Sequence, residues 1–384
     1  MTAAVSTLNE RGRQARWARP GGWRYCRASA SSPGTDAGFA ASPRRQLLIG
    51  DAAETLRLLP TGSIDCCITS PPYFQLRDYG VTGQLGMEPQ IDDWVANLRA
   101  VMREVARVFK PTGSLWLNLG DAYSRGSRYG APTKSLLLGP ERLLLGLAAD
   151  GWLVRNKVVW AKPNPMPHAV RDRLNTTYEV VYFLTRSRSY YFALDAIRQP
   201  HTSRRRPAPP GPPKYAGSAW AGPLAGSNGG LLRAQRGGRV GRRRGKNPGD
   251  VWTMATAGYR GAHFATFPET LVERPLRATC PERVCGACGK PWHRPAQKAT
   301  AVPGCACHAA WHPGVVLDPF FGSGTVGVAA ERLELDWTGI ELSPAYAALA
   351  EQRIEVARQA REAPERNNNH RPRKRPDGAA NQRR

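Results

Sequence analysis

Long apolar runs are missing from this 384-residue chain: none approaches the roughly 20 residues that a bilayer-spanning helix needs. The arginine-bearing N-terminal stretch is not followed by the apolar core of a signal peptide, so a soluble, cytoplasmic protein with no membrane contact is expected. Acids are scarce, 30 against 55 Lys and Arg, for a formal net charge of +25. The imbalance is local. Residues 1–45 carry eight Arg against two acids, residues 201–249 carry eleven basic residues and no acid, and residues 361–384 carry eight basic residues against three acids. The remainder is nearly neutral, as a folded core should be, and the basic stretches mark either solvated tails or a footprint for a polyanion. Cysteine is thin outside one stretch: five of the eight lie between Cys280 and Cys307. That clustering points away from a disulfide scaffold and toward a reducing compartment with a candidate metal site.

What is present is an alternation of strand-like and helix-like segments. Apolar runs at 46–50, 64–69, 114–119, 152–160, 178–184, 315–317 and 337–342 read as strands, with 178–184 a candidate edge. Helical spacing occurs at 51–59, 92–109, 136–149, 324–333 and 344–361, with residues 111–113 stopping the second of these. The alternation predicts an α/β, doubly wound, mostly parallel sheet. Five parts are expected: a disordered basic tail (1–45), a first half (46–200), a basic insert or linker (201–250), a second half (251–362) containing a Cys-rich knuckle (280–312), and a polar tail (363–384).

Two motifs carry the chemistry, and each follows a strand where a parallel sheet places its ligands. The first is Thr69-Ser-Pro-Pro-Tyr73. Pro71 and Pro72 fix φ and remove two N–H donors, which leaves carbonyls, the Ser70 hydroxyl and the Tyr73 ring to receive a flat aromatic amine. A proline-stiffened turn is the plain alternative. The second motif is Asp318-Pro-Phe-Phe-Gly-Ser-Gly-Thr325, in which Gly322 and Gly324 allow close backbone approach at a helix N-terminus. Glu341, about 20 residues on, is placed to accept both hydroxyls of a ribose, with an acid facing the dipole at a helix N-terminus as the plain alternative. No Walker lysine follows, which disfavours phosphoryl transfer.

These residues resemble the DNA amino-methyltransferases in their permuted β-type order, catalytic loop before cofactor loop. The resemblance covers roughly residues 46–200 and 250–360 and includes Val158-Val-Trp-Ala-Lys-Pro-Asn-Pro-Met-Pro167. It implies the S-adenosylmethionine-dependent methyltransferase (Rossmann-like) fold, with Ser70, Pro71, Pro72 and Tyr73 as catalytic loop. Asp318, Pro319, Phe320, Gly322, Gly324 and Thr325 are then the S-adenosylmethionine loop and Glu341 the ribose acid. Asp51 matches the acid that contacts the cofactor's adenine, and Phe267, within the segment 263–269, lines its methionine side. In this family Ser at the first catalytic position marks N4-cytosine enzymes, with N6-adenine enzymes the alternative.

The implied partner is double-stranded DNA, with base flipping. The basic insert would be the target-recognition region, and a cognate restriction endonuclease is a further candidate partner. The setting would be a bacterial or phage cytoplasm, at the nucleoid, with a monomer or homodimer as the working form. A non-catalytic DNA-binding protein, or an RNA or protein-amide methyltransferase, are the rival readings. Cys285-Gly-Ala-Cys288 followed by Gly, then Cys305-Ala-Cys307, has the pattern of a structural zinc knuckle, with Cys280 or His308 as substitute ligands and an unmetallated loop as the alternative. Cys66 and Cys67 read as core residues.

Overall fold

A computed structural model describes residues 45–201, 244–256, 267–294 and 300–362. In chain order its elements are β1 (Gln46–Ile49), α1 (Ala52–Leu56), β2 (Ile64–Thr69), α2 (Ile91–Val108), β3 (Phe109–Leu119), α3 (Gly139–Ala149), β4 (Leu153–Ala161) and β5 (Tyr178–Thr185). There follow β6 (Val251–Thr253), α4 (Glu269–Thr279), β7 (Val284–Cys285), β8 (Trp311–His312), β9 (Val315–Asp318), α5 (Thr325–Arg332), β10 (Asp336–Glu341) and α6 (Pro344–Glu362). Eight strands form one sheet in the order β1-β10-β9-β2-β3-β5-β4-β6, and β7 and β8 form a separate ribbon. Pairing is parallel throughout the large sheet except where β5 runs antiparallel to β3 and β4.

The sheet is covered on both faces, as strands of near-continuous apolar character require. One face packs against α1, α2 and α3; Leu115, Leu117 and Leu119 of β3 point into it, with Cys67 of β2. The other packs against α4, α5 and α6 and receives Trp116, Cys66 and Ile68. Period-two alternation thus divides each central strand between two cores. Helix α2 buries Ile91, Trp94, Val95, Leu98, Val101, Met102, Val105 and Val108, a continuous stripe at helical spacing. Cys66 and Cys67 are fully buried, and burial pushes the Cys66 thiol up to about 12, so both act as core residues.

Several boundaries differ from the sequence reading, each for a local reason. The strand read at 114–119 begins at Phe109: Ile64 pairs with Phe109 and Cys66 with Ser114, so residues 110–113 bulge out within β3 instead of ending α2. The helix read from 136 starts at Gly139, because Leu138 is left-handed (φ 54°) and the Asp121 carboxylate accepts the N–H groups of Leu138 and Gly139 at 3.0 and 3.2 Å. Strand 178–184 is no edge; it lies between β3 and β4, and β6 forms that border. Helix α4 forms where the sequence pattern predicts none, with Pro275 inside it.

Residues 1–44, 202–243 and 363–384 fall outside the described residues, as do residues 263–266 of the cofactor-side segment, while Arg45, the last residue of the expected N-terminal tail, pairs with Glu331 and Asp336. The points at which the chain leaves and re-enters around 202–243 are clasped together. Gln199 and Lys246 exchange backbone hydrogen bonds of 3.0 and 2.8 Å, and Asp195 accepts from both Arg198 and Arg244.

Candidate active site

The fold joins the two motifs that the sequence separates. Strands β2 and β9 are neighbours, with Cys66 opposite Val316 and Cys67 opposite Leu317. At their carboxyl ends Thr69 Oγ1 donates to Asp318 Oδ1 at 2.7 Å, a buried side-chain bond across 249 positions. A cleft of about 830 Å³ opens above this junction, within the range of small-molecule sites. Ser70 to Tyr73, Asn118, Lys162 and Glu179 line one end. Gly50, Asp51, Pro319, Phe320, Gly322 and Glu341 line the other, and Phe267 also faces the cleft.

At the first end, the side chains of the Ser70–Tyr73 turn sit in a network that local sequence does not reveal. Ser70 Oγ lies 3.1 Å from Tyr73 Oη, and Tyr73 Oη donates to Glu179 Oε2 at 2.7 Å. Asn118 Nδ2 lies 3.3, 2.7 and 2.8 Å from Ser70 Oγ, Tyr73 Oη and Glu179 Oε2. An amide nitrogen has two hydrogens, so three acceptors imply a shared bond. The reversed amide would set a carbonyl against the Glu179 carboxylate, which fixes the orientation. Asn118 Oδ1 is then buried without a partner among the described residues. Lys162 forms a close ion pair with Glu179, and its ammonium sits over the Trp160 ring. Burial, then the neighbouring Glu179 charge, raises the Tyr73 hydroxyl well above its ordinary value, so it stays a neutral donor. Gly120 makes room for the ring, because a Cβ there would meet Tyr73 Cε2 at 2.7 Å. The Pro72 carbonyl is taken by the Trp94 indole N–H at 2.9 Å.

At the second end, backbone amides hold the acids. Glu341 Oε2 accepts from Gly322 N at 2.7 Å and Oε1 from Ser343 N at 2.8 Å, so both oxygens are aimed and each keeps a free lone-pair direction. Burial raises Glu341 from its ordinary range, against those amide bonds. Asp51 caps α1 through Oδ1, which accepts from Glu54 N at 3.0 Å. Asp318 lies beneath the cleft and does not line it; burial pushes its carboxyl up to about 7, against donation from Thr69 and Phe320 N–H. Gly324 and Thr325 also stand off the cleft. Gly324 packs against Ala350, and the Thr325 hydroxyl is buried toward Arg353, so their part is to seat α5. Arg77 lines the cleft with Nη1 buried and unpartnered among the described residues.

Asn118, Glu179, Lys162 and Arg77 are the residues sequence reasoning missed. The first three come from β3, β5 and the segment after β4, and only strand register could have placed them together. Lys162 stood inside the family-like segment 158–167, which was the available hint.

A sequence-family profile described as DNA methylase matches residues 64–352. The chain belongs to that DNA methylase family. The methylase is 32% identical to the Type II methyltransferase M.SmaI of Serratia marcescens, over 80% of this chain and 90% of the relative. It is 34% identical to M.Cfr9I of Citrobacter freundii, over 80% and 87%. Among solved structures, the cytosine-N4-specific PvuII DNA methyltransferase superposes with a TM-score of 0.51 at 18% identity, over 84% of this chain and 92% of that one, a likeness of fold. The methylase's cofactor is S-adenosylmethionine, and the cleft suits it: a glycine loop at a helix N-terminus, an oriented buried carboxylate, and space beside the Ser70–Tyr73 turn.

The four cysteines read as a knuckle also converge. The Sγ atoms of Cys285, Cys288, Cys305 and Cys307 all lie within 4.8 Å of one another. Cys280 is instead buried in the sheet core, and His308 is outside the group. No described helix is long and apolar enough to cross a membrane.

Proposed function

We propose that this methylase transfers the methyl group of S-adenosylmethionine to the N4 amino group of a cytosine flipped out of duplex DNA, as the modifying arm of a restriction–modification pair. The observation that carries the reading is the acceptor cluster of Ser70, Tyr73, Asn118 and Glu179, bonded through Thr69 and Asp318 to the glycine loop. A ring-conjugated amino nitrogen is a poor nucleophile. The Ser70 hydroxyl and the Pro71 carbonyl accept its two hydrogens and turn its lone pair out of conjugation. The Tyr73 ring supplies a stacking face for the extruded base. Asn118 Oδ1, buried and without a partner among the described residues, would be a further acceptor at this end of the cleft.

When bound, S-adenosylmethionine supplies a sulfonium methyl group open to direct displacement, so positioning does most of the work. Glu341 would accept from the ribose, Asp51 and Phe267 would border the adenine and methionine portions, and Pro319, Phe320 and Gly322 would form the floor. Arg77 would meet an anionic group of the bound ligands. After transfer the nitrogen must shed a proton, and the chain offers an exit: Ser70 Oγ to Tyr73 Oη to Glu179 Oε2, with spacings of 3.1 and 2.7 Å.

Cytosine is favoured over adenine by the serine at position 70, the mark of N4-cytosine enzymes in the family it resembles. Expressing the full chain in a host that lacks DNA methylation, followed by methylation-aware sequencing, tests the reading. N4-methylcytosine at one short motif is expected. N6-methyladenine at a motif would move the substrate to adenine, and unmodified DNA would end the proposal.

A further inference from the structure

The Cys-rich ribbon lies apart from the cleft, and nothing in methyl transfer uses it. It is built from two turns that face each other. In the first, Cys285 ends β7 and the chain folds back through Gly289 (φ 69°), with Gly289 N bonded to Cys285 O at 3.0 Å and Cys285 N to Lys290 O at 2.9 Å. A left-handed glycine directly after a Cys-x-x-Cys lets amides turn inward onto the first sulfur. Here the backbone N–H groups of Cys288 and Ala287 do so. In the second turn the Cys307 N–H points at Cys305, and His308, also left-handed (φ 52°), takes the glycine's place.

We propose that Cys285, Cys288, Cys305 and Cys307 bind one zinc ion as a tetrahedral, all-thiolate structural site. The geometry favours it over chance proximity. Four sulfurs at a Zn–S distance of about 2.3 Å stand roughly 3.8 Å apart. These four already lie within 4.8 Å of one another, so a bound ion would draw them in by at most about an ångström. Two disulfides would each need only a pair of cysteines; convergence of two turns on a single point is a requirement of a metal. The set has four protein ligands and no open position, which suits a brace and not a catalyst.

What it braces is legible from the chain on either side. Cys280 caps α4 and Gly314 leads into β9; Gly314 N bonds to Pro281 O at 2.9 Å. Val284 and Cys285 pair with His312 and Trp311, and the Arg283 guanidinium lies over the rings of Trp292 and Trp311 at 5.1 and 4.2 Å. The ribbon is small, with few apolar residues of its own, and a zinc ion would hold the α4-to-β9 connection closed at the base of the cofactor strand.

Elemental analysis of the full-length protein, purified without chelator, should find about one zinc per chain. Cobalt exchange should give the intense visible bands of tetrahedral thiolate coordination. Cys288→Ser and Cys307→Ser should abolish metal binding, whereas His312→Ala should keep it. Since the serine variants could fail to fold, the cobalt spectrum of the unaltered protein stands as an independent readout. Less than a tenth of an equivalent of zinc, iron in its place, or weak six-coordinate cobalt bands would each overturn the assignment.

Discussion

The two ends of the cleft are held by different means. At the cofactor end, Glu341 is aimed by backbone amides of Gly322 and Ser343, and Asp51 by its own helix. At the amine end, Ser70 and Tyr73 are aimed by side chains, Asn118 from β3 and Glu179 from β5, with Lys162 behind them. A backbone cradle depends on the fold and tolerates change in its neighbours. A side-chain network depends on every member. The difference would suit the proposed chemistry: a cofactor needs a fixed seat, whereas a flipped base would have to meet donors and acceptors that move a proton.

If the ends are this distinct, their variants should separate kinetically. The largest effect is expected at the amine end. Ser70→Ala and Tyr73→Ala should each lower turnover about 100-fold or more, since misplacement alone can cost that much. Cofactor affinity, measured by calorimetry, should change by less than about threefold in both. Loss of cofactor binding would break the division.

Next comes Glu341→Gln, which removes charge-assisted bonds worth about 1.5–3 kcal/mol and should weaken cofactor binding roughly 10- to 100-fold. Turnover at saturating cofactor should hold within a few-fold. A fall in turnover with unchanged affinity would show that Glu341 serves the wrong end.

The smallest effect concerns Asp318, which links the two ends through Thr69. Its folded pKa is raised to about 7, so the folded protein takes up a proton as pH falls through that value, and the carboxylate is present above it. A cationic cofactor favours the ionised form. Affinity should therefore rise by up to about tenfold from pH 6 to 8, the limit for one linked proton. Asp318→Asn should flatten the profile. The same shift means that Asp318 contributes less to stability as pH climbs from the ordinary carboxylate range to about 7.

The sequence disclosed the cofactor end better than the amine end, and the reason is physical. Gly322 and Glu341 lie 19 positions apart in a single strand–helix–strand unit, so local pattern captures both. Ser70 and Tyr73 lie within one tight turn and were equally plain. Asn118 and Glu179 were not, because they meet Tyr73 only through antiparallel register, Asn118 opposite Val181. Gly324 and Thr325 show the converse: a motif marks them, yet packing against α6 accounts for their positions. The cysteines were legible by spacing, although convergence of the four sulfurs and exclusion of Cys280 needed coordinates.

The most direct test is chemical. The full-length protein is incubated with duplex DNA and S-adenosylmethionine labelled in its methyl group, and the DNA is digested to nucleosides and separated. The account predicts label in N4-methylcytosine, lost in Tyr73→Ala; label in N6-methyladenine, or in no nucleoside, would contradict it.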